Sequence, residues 1–163
     1  MMVWLGRLLF LSGCTALGLA RGMALKDRTA CLSEFRRSLA RLNRELTFAL
    51  RPLPDLLADL RAVGPAGDFF AACREGLEES WAEAWQTALE ETHLPLQEED
   101  RQILREAGEV LGRYDGGSQG QALEGLTARL EENLAQARGD EDRLFRVYLA
   151  LGITAGLFGC ILL

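Results

Sequence analysis

The pattern of apolar and polar positions divides the chain into three parts: two apolar ends and a charged, amphipathic middle. Between them, apolar residues recur at helical spacing, and no run of β-branched alternation suggests a sheet. From about Thr29 to Leu50, Leu32, Phe35, Leu39, Leu42, Leu46 and Ala49 form one stripe, while Arg36, Arg37, Arg41 and Arg44 lie on the other face. Pro52 and Pro54 end this helix and start a short one, Pro54 to Val63, with Leu56, Leu57, Leu60 and Val63 inward. Gly64-Pro65-Ala66-Gly67 predicts a turn, and Asp68 the cap of a helix carrying Phe69, Phe70, Cys73 and Leu77.

Ser80-Trp81-Ala82-Glu83 has the S-x-x-E form of a capping box, opening a helix that buries Trp81, Ala84, Trp85, Ala88 and Leu89. The next helix, roughly Gln97 to Gly112, turns Ile103, Leu104, Ala107, Val110 and Leu111 inward and places Glu98, Glu99 and Asp100 at its positive end. After a glycine-rich connection, a last helix starts at Ser118 and carries Leu123, Leu126, Leu130 and Leu134 toward Ala137. Whether it kinks at Gly139 or continues into the apolar C-terminus is left open by the pattern. The expected fold is all-α: a bundle of about six helices between two flanking apolar helices.

Those ends read as membrane helices. Met2 to Leu25 carries only Arg7 and Arg21, and Val147 to Leu163 carries no charge; a crossing needs about 20 mostly apolar residues. The C-terminal stretch is short, but starting it at Leu144 with Arg146 reaching for the interface brings it to about 30 Å. The expected division is residues 1–25, a first membrane helix; 26–143, a soluble helical domain; and 144–163, a second membrane helix. Two other readings of the N-terminus stand beside this one: Leu11-Ser12-Gly13-Cys14 has a lipobox form that would make an exported lipoprotein, and Gly18-Leu19-Ala20 a small-x-small cleavage form. Arg21, Lys26, Arg28, Arg36 and Arg37 crowd the inner side of the first helix, and Arg138, Arg143 and Arg146 precede the second. The positive-inside rule then puts the middle in the cytoplasm and both termini across the membrane.

Charge adds a polarity within the middle. The whole chain has a net charge of −6 and a mean hydropathy of +0.01. Lys26 to Arg61 holds eight basic and five acidic residues, whereas Ala62 to Arg146 holds eight basic and nineteen acidic. Such a balance disfavours nucleic acid as a partner. It leaves a basic first helix able to face acidic later helices or anionic lipid, and an acidic side suited to an electropositive partner.

No catalytic constellation stands out. There is no P-loop, G-x-G-x-x-G, G-x-S-x-G or H-E-x-x-H pattern. Glu78, Glu79, Glu83 and Glu90 occupy surface-type helical positions, and His93, the single histidine, reads as a loop residue. Cys31 and Cys73 form no C-x-x-C pair and read as buried or free thiols. Neither a metal nor a cofactor is expected, nor an enzymatic activity.

One block is more specific. Gly108-Glu109-Val110-Leu111-Gly112-Arg113-Tyr114-Asp115, with Ser118 and Gln119, resembles the G-E-x-L-G-x-x-D-x-x-x-Q signature of the stage III sporulation protein AB family of endospore-forming bacteria. Glu45-Leu46-Thr47-Phe48 with Pro52-Leu53 is similar to that family's E-I-x-Y-x-x-x-P-L segment, with Phe48 for the usual Tyr and Arg51 for the usual Thr. Trp85 and Leu89 fall at its Trp-x-x-x-Leu, and Gly152 with Gly156 at the small-residue spacing of its terminal helix.

The resemblance implies a platform subunit of the channel-like complex that joins mother cell and forespore, related to type II secretion and type IV pilus machines. It implies residence in the mother-cell membrane around the forespore and, as partners, the complex's cytosolic ATPase and its other membrane subunits, besides the lipid bilayer; self-association into a homo-oligomer is also open. The residues themselves suggest either structural roles or partner contact. Gly108 and Gly112 permit close helix approach and a helix end, Asp115 and Ser118 a cap, and Gln119 a brace across the turn. Gly152 and Gly156 permit helix packing in lipid. An alternative is a membrane-tethered adaptor of another partner.

Overall fold

The computed structural model describes residues 2–48, 53–60, 62–78, 80–112 and 116–162; side-chain surroundings in the flanking helices are given from residue 12 to residue 158, apart from 14, 15, 156 and 157. The described residues form six α-helices: α1 (Met2–Phe48), α2 (Leu53–Asp59), α3 (Gly64–Glu75), α4 (Trp81–Glu91), α5 (Glu98–Leu111) and α6 (Gly116–Leu162), with a 3₁₀ turn at Gly76–Glu78. No strand occurs among them, and the all-α expectation holds. The chain forms two compact units, residues 30–135 and residues 1–29 with 136–163. Among the described residues no helix is long and apolar enough to cross a membrane; of the expected spans, 1–25 and 144–163, the side chains of 1–11, 14, 15, 156, 157 and 159–163 lie outside the description.

In the unit 30–135, the predicted stripe of α1 is the core. Leu32, Phe35, Leu39 and Leu42 are fully buried, Leu46 half-buried, and Ala49 lies outside the described residues. Phe35 meets Phe69 edge-on at 5.2 Å, and Phe69 meets Trp85 at 4.8 Å, so α1, α3 and α4 share one aromatic cluster. Such offset pairs add about 0.5–1.5 kcal/mol each beyond the area they bury. Leu104, Leu123, Leu130 and Leu134 close the core from α5 and α6. Arg36 of α1 reaches Glu131 of α6 at 3.7 Å, and Arg129 of α6 pairs with Glu106 of α5.

Three boundaries differ from the sequence reading. The helix expected to run from Pro54 to Val63 ends at Asp59, and Val63, expected inward, is exposed because the chain is extended there to enter α3. The predicted turn at Gly64–Gly67 is the first turn of α3, with Val63 at its N-cap and Ala66 fully buried. Pro65 suits that place because the first N–H groups of a helix have no partner to lose. Gly64 has φ +61°, where a side chain would be strained, and a Cβ on Gly67 would stand 2.6 Å from the Ala62 carbonyl oxygen. Both glycines are therefore demanded by the helix entry. Asp68, expected as its cap, sits exposed inside the helix. Further on, α6 begins at Gly116 rather than Ser118 and passes through Gly139 without a break.

In the other unit, the first part of α1 and the last part of α6 pack antiparallel. A Cβ on Gly18 would stand 2.7 Å from the Tyr148 carbonyl oxygen and 3.7 Å from the Cα of Gly152, and one on Gly22 would clash with the edge of the Phe145 ring at Cδ2 and Cε2. The Lys26 ammonium sits 4.8 Å from the centre of that ring. Leu17, Met23, Leu151, Ile153 and Phe158 point away from this seam and are exposed.

Candidate functional site

The signature residues that the structure brings together lie where α4 crosses α5 antiparallel. Ser80, extended at the N-cap, accepts the Glu83 N–H at 3.2 Å, the hydroxyl half of the expected capping box, and so fixes where α4 starts. That register sets Trp81 and Trp85 one turn apart on the face toward α5, opposite Gly108 and Gly112, also one turn apart. The indole N–H of Trp85 donates to the Leu104 carbonyl at 2.7 Å, and its ring fills the space over Gly108. One turn away the arrangement repeats. Trp81 donates to the Gly108 carbonyl at 2.9 Å, and its Cδ1 would stand 2.9 Å from a Cβ on Gly112.

Each tryptophan thus covers one glycine and hydrogen-bonds the carbonyl four residues before it. A buried indole N–H needs an acceptor, and a glycine lets the ring lie against the helix backbone where that acceptor is. Gly112 also ends α5, its N–H donating to the Gly108 carbonyl at 3.1 Å. The carboxamide of Gln119, in the first turns of α6, donates to the Val110 and Leu111 carbonyls at 3.1 and 3.2 Å. The last carbonyls of a helix lack the amide partners of its interior, and the Val110 carbonyl takes the Gly112 N–H besides, so Gln119 adds donors at the turn from the far side.

The remaining signature positions are dispersed. Leu111 is buried beside the seam, while Glu109 points to solvent. Glu45 is half-buried near the end of α1, and Leu53 opens α2 with its side chain undescribed. Pro52 and Asp115 lie outside the described residues. Gly152 is buried against Gly18 in the other unit; Gly156 is in α6, its surroundings outside the description.

Three polar residues that pattern reading did not single out for this role complete the α4–α5 corner. Asp100 is fully buried; it accepts the Gln97 N–H at 3.0 Å and the Asn133 amide at 2.8 Å, tying the start of α5 to α6. Arg101 donates to the Leu89 and Leu94 carbonyls at 3.0 and 3.1 Å and so holds the end of α4 and the loop after it. The available signal was weak: Asp100 stands three residues after Gln97, but beside Glu98 and Glu99 it reads as one more solvated charge at a helix start.

The chemistry of this corner is that of a fastening. Cys31 and Cys73 are free and buried, and burial pushes both thiols up to about 12, with the Asp100 carboxylate adding to the effect at Cys31. Neither is a ready nucleophile or metal ligand. Among the described residues no group of three His, Cys, Asp or Glu side chains could hold a metal ion, and His93 is exposed in the loop between α4 and α5. Around the seam the outer faces of α5 and α6 carry exposed Glu98, Glu99, Glu109, Glu124, Glu131 and Glu132.

The family model described as stage III sporulation protein AB matches residues 3–163. The chain belongs to the stage III sporulation protein AB family. A solved structure entitled stage III sporulation protein AB (SpoIIIAB) is similar with a TM-score of 0.67 at 23% identity, over 72% of this chain and 98% of that one. At that identity the likeness is one of fold. No curated protein sequence matches significantly. Membership ties the chain to sporulation, and the glycine–tryptophan seam is where Trp85, Gly108 and Gly112 of the expected signature meet.

Proposed function

We propose that this family member is a non-enzymatic platform subunit of the sporulation channel complex, anchored by its two apolar ends and docking the complex's cytosolic ATPase on the acidic outer face of α5 and α6. The observation that carries the reading is the end-to-end family match, which takes in both apolar ends as well as the helical domain. Two features support it. Large apolar side chains of the terminal unit, Leu17, Met23, Leu151, Ile153 and Phe158, face outward, an arrangement suited to lipid. The helical unit is fastened by hydrogen-bonded polar side chains, buried at Trp85 and Asp100 and half-buried at Trp81 and Gln119, a firm body on which a charged face can be presented.

The test is co-purification of the detergent-solubilised full chain with the complex's ATPase. Reversing Glu109, Glu124 and Glu132 to Lys, all exposed, is expected to reduce capture at least tenfold while leaving the helical circular dichroism unchanged. Undiminished capture overturns the docking face. A cysteine placed at exposed Glu90 reports the topology, because buried Cys73 is a poor probe: rapid modification by an impermeant reagent in intact cells, above the wild-type background, overturns the cytoplasmic placement.

A further inference from the structure

Glu83, Thr87 and Glu91 follow one another along an exposed line of α4, and with Glu75 from the end of α3 they wall a surface groove of about 290 Å³. Its floor is made of small residues, Ala72, Gly76, Ala84 and Ala88. The floor is tight: a Cβ on Gly76 would stand 3.1 Å from that of Ala84. Small residues let another helix approach closely, and the three glutamates carry no ion pair among the described residues. The groove is therefore an apolar trough with an uncompensated acidic rim.

The same unit of the chain carries the complementary surface. Arg37, Arg41 and Arg44 lie on one exposed face of α1. Arg37 is held by Glu34 at 2.9 Å, whereas Arg41 and Arg44 have no acidic partner among the described residues. From Arg37 to Arg44 the helix rises about 10.5 Å, and from Glu83 to Glu91 about 12 Å, at about 1.5 Å per residue. The basic stripe and the acidic rim thus match in length as well as sign.

We propose that the α3–α4 groove receives the Arg37–Arg41–Arg44 face of α1 from a second copy of this chain. The two surfaces differ, so the contact is head-to-tail and repeats from copy to copy, closing into a ring or running on according to the rotation between copies. Exposed ion pairs are individually weak and screened by salt. Association in solution is accordingly weak and falls with ionic strength, while anchorage that holds copies at high local concentration strengthens it. The inference does not depend on ATPase docking, which uses other residues.

Sedimentation of the purified full chain in a zwitterionic detergent tests it. Association at low salt is expected, weakened at least tenfold by Glu83→Lys with Glu91→Lys and likewise by Arg41→Glu with Arg44→Glu; all four in one chain, which exchanges the signs of rim and stripe, restore it to within a few-fold of wild type. A monomeric wild type, unaffected single-surface variants, or a four-fold variant as dissociated as its parents overturns the proposal. Two further outcomes overturn it by assigning the surfaces elsewhere. In one, the arginine reversals abolish binding to phosphatidylglycerol vesicles with self-association intact; in the other, the glutamate reversals abolish ATPase capture with self-association intact. Circular dichroism confirms folding of each variant, whose substitutions are all at exposed positions.

Discussion

The indole ring of Trp85 occupies the space in which a side chain on Gly108 would stand, and its N–H reaches past that glycine to the Leu104 carbonyl. Replacing Gly108 by alanine forces the buried ring to move and strains that bond. Overpacking of this kind costs about 1–3 kcal/mol, more than the roughly 1 kcal/mol that alanine gains over glycine inside a helix. Gly108→Ala is therefore expected to destabilise the chain, measured as a lower urea midpoint of tryptophan fluorescence. Gly125, inside α6, has nothing within 4 Å of its Cβ position. Gly125→Ala is expected to raise the unfolding free energy by about 0.5–1 kcal/mol, and the midpoint with it. A stabilised Gly108→Ala would show that the seam is loose.

Asp100 and Asn133 lie thirty-three positions apart and meet at 2.8 Å, the carboxylate fully buried and the amide half-buried. Asp100→Ala leaves the Asn133 amide and the Gln97 N–H without an acceptor, and Asn133→Ala leaves a buried carboxylate short of a donor. Each is expected to cost about 2–4 kcal/mol, because an orphaned buried polar group carries its full desolvation cost. The double variant should cost clearly less than the sum, with a coupling of about 1 kcal/mol or more in a double-mutant cycle. Strict additivity would mean that the contact contributes nothing of its own.

The sequence pattern is informative about faces and much less so about what those faces meet. The spacing of Leu32, Phe35, Leu39 and Leu42 identifies the buried side of α1, because a helix must turn an apolar stripe to the core. Ser80 and Glu83 identify the start of α4 because capping is local. Trp81 belongs to the apolar face by periodicity, but its bond to the Gly108 carbonyl depends on how α4 crosses α5, which no local pattern encodes. Asp100 is hidden for the same reason: its partner Asn133 is on another helix. At Gly64–Gly67, glycine and proline are turn residues by habit, and only the packing of Ala66 makes them the first turn of α3. Of the signature, Trp85, Gly108, Gly112 and Gln119 converge, whereas Glu45 and Glu109 do not join them.

The two buried thiols give the chain an alkaline limit. Cys31 and Cys73 titrate near 9.0 when unfolded and are pushed up to about 12 when folded, chiefly because burial disfavours the thiolate. The folded state holds these protons more tightly, so their contribution is complete below pH 9 and is lost as pH rises from 9 toward 12. Urea midpoints should be insensitive to these thiols between pH 7 and 8.5 and fall above pH 9. The Cys73→Ala variant, weaker at neutral pH because of the cavity, should fall less steeply there. Iodoacetamide labelling mapped by peptide mass should modify both thiols only on unfolding. Rapid labelling of either in the native chain would contradict its burial.

Gly18 and Gly22 face α6 differently, and the difference predicts an order. A side chain on Gly18 meets the backbone carbonyl of Tyr148, which the helix holds in place; one on Gly22 meets the Phe145 ring, which can rotate away. Small residues at such positions let two helices approach closely, in lipid or detergent as in water. Gly18→Leu should therefore lower the Tm of the detergent-solubilised full chain most, Gly22→Leu less, and Leu substituted for Ala16, which is exposed, little or not at all. Leucine is a much better helix former than glycine and only slightly worse than alanine, so propensity alone predicts rising stability for the two glycine variants and almost no change at Ala16. Equal Tm values across the series would show that α1 and α6 are not held together by this seam, whereas the predicted order would locate the contact at the backbone of Tyr148.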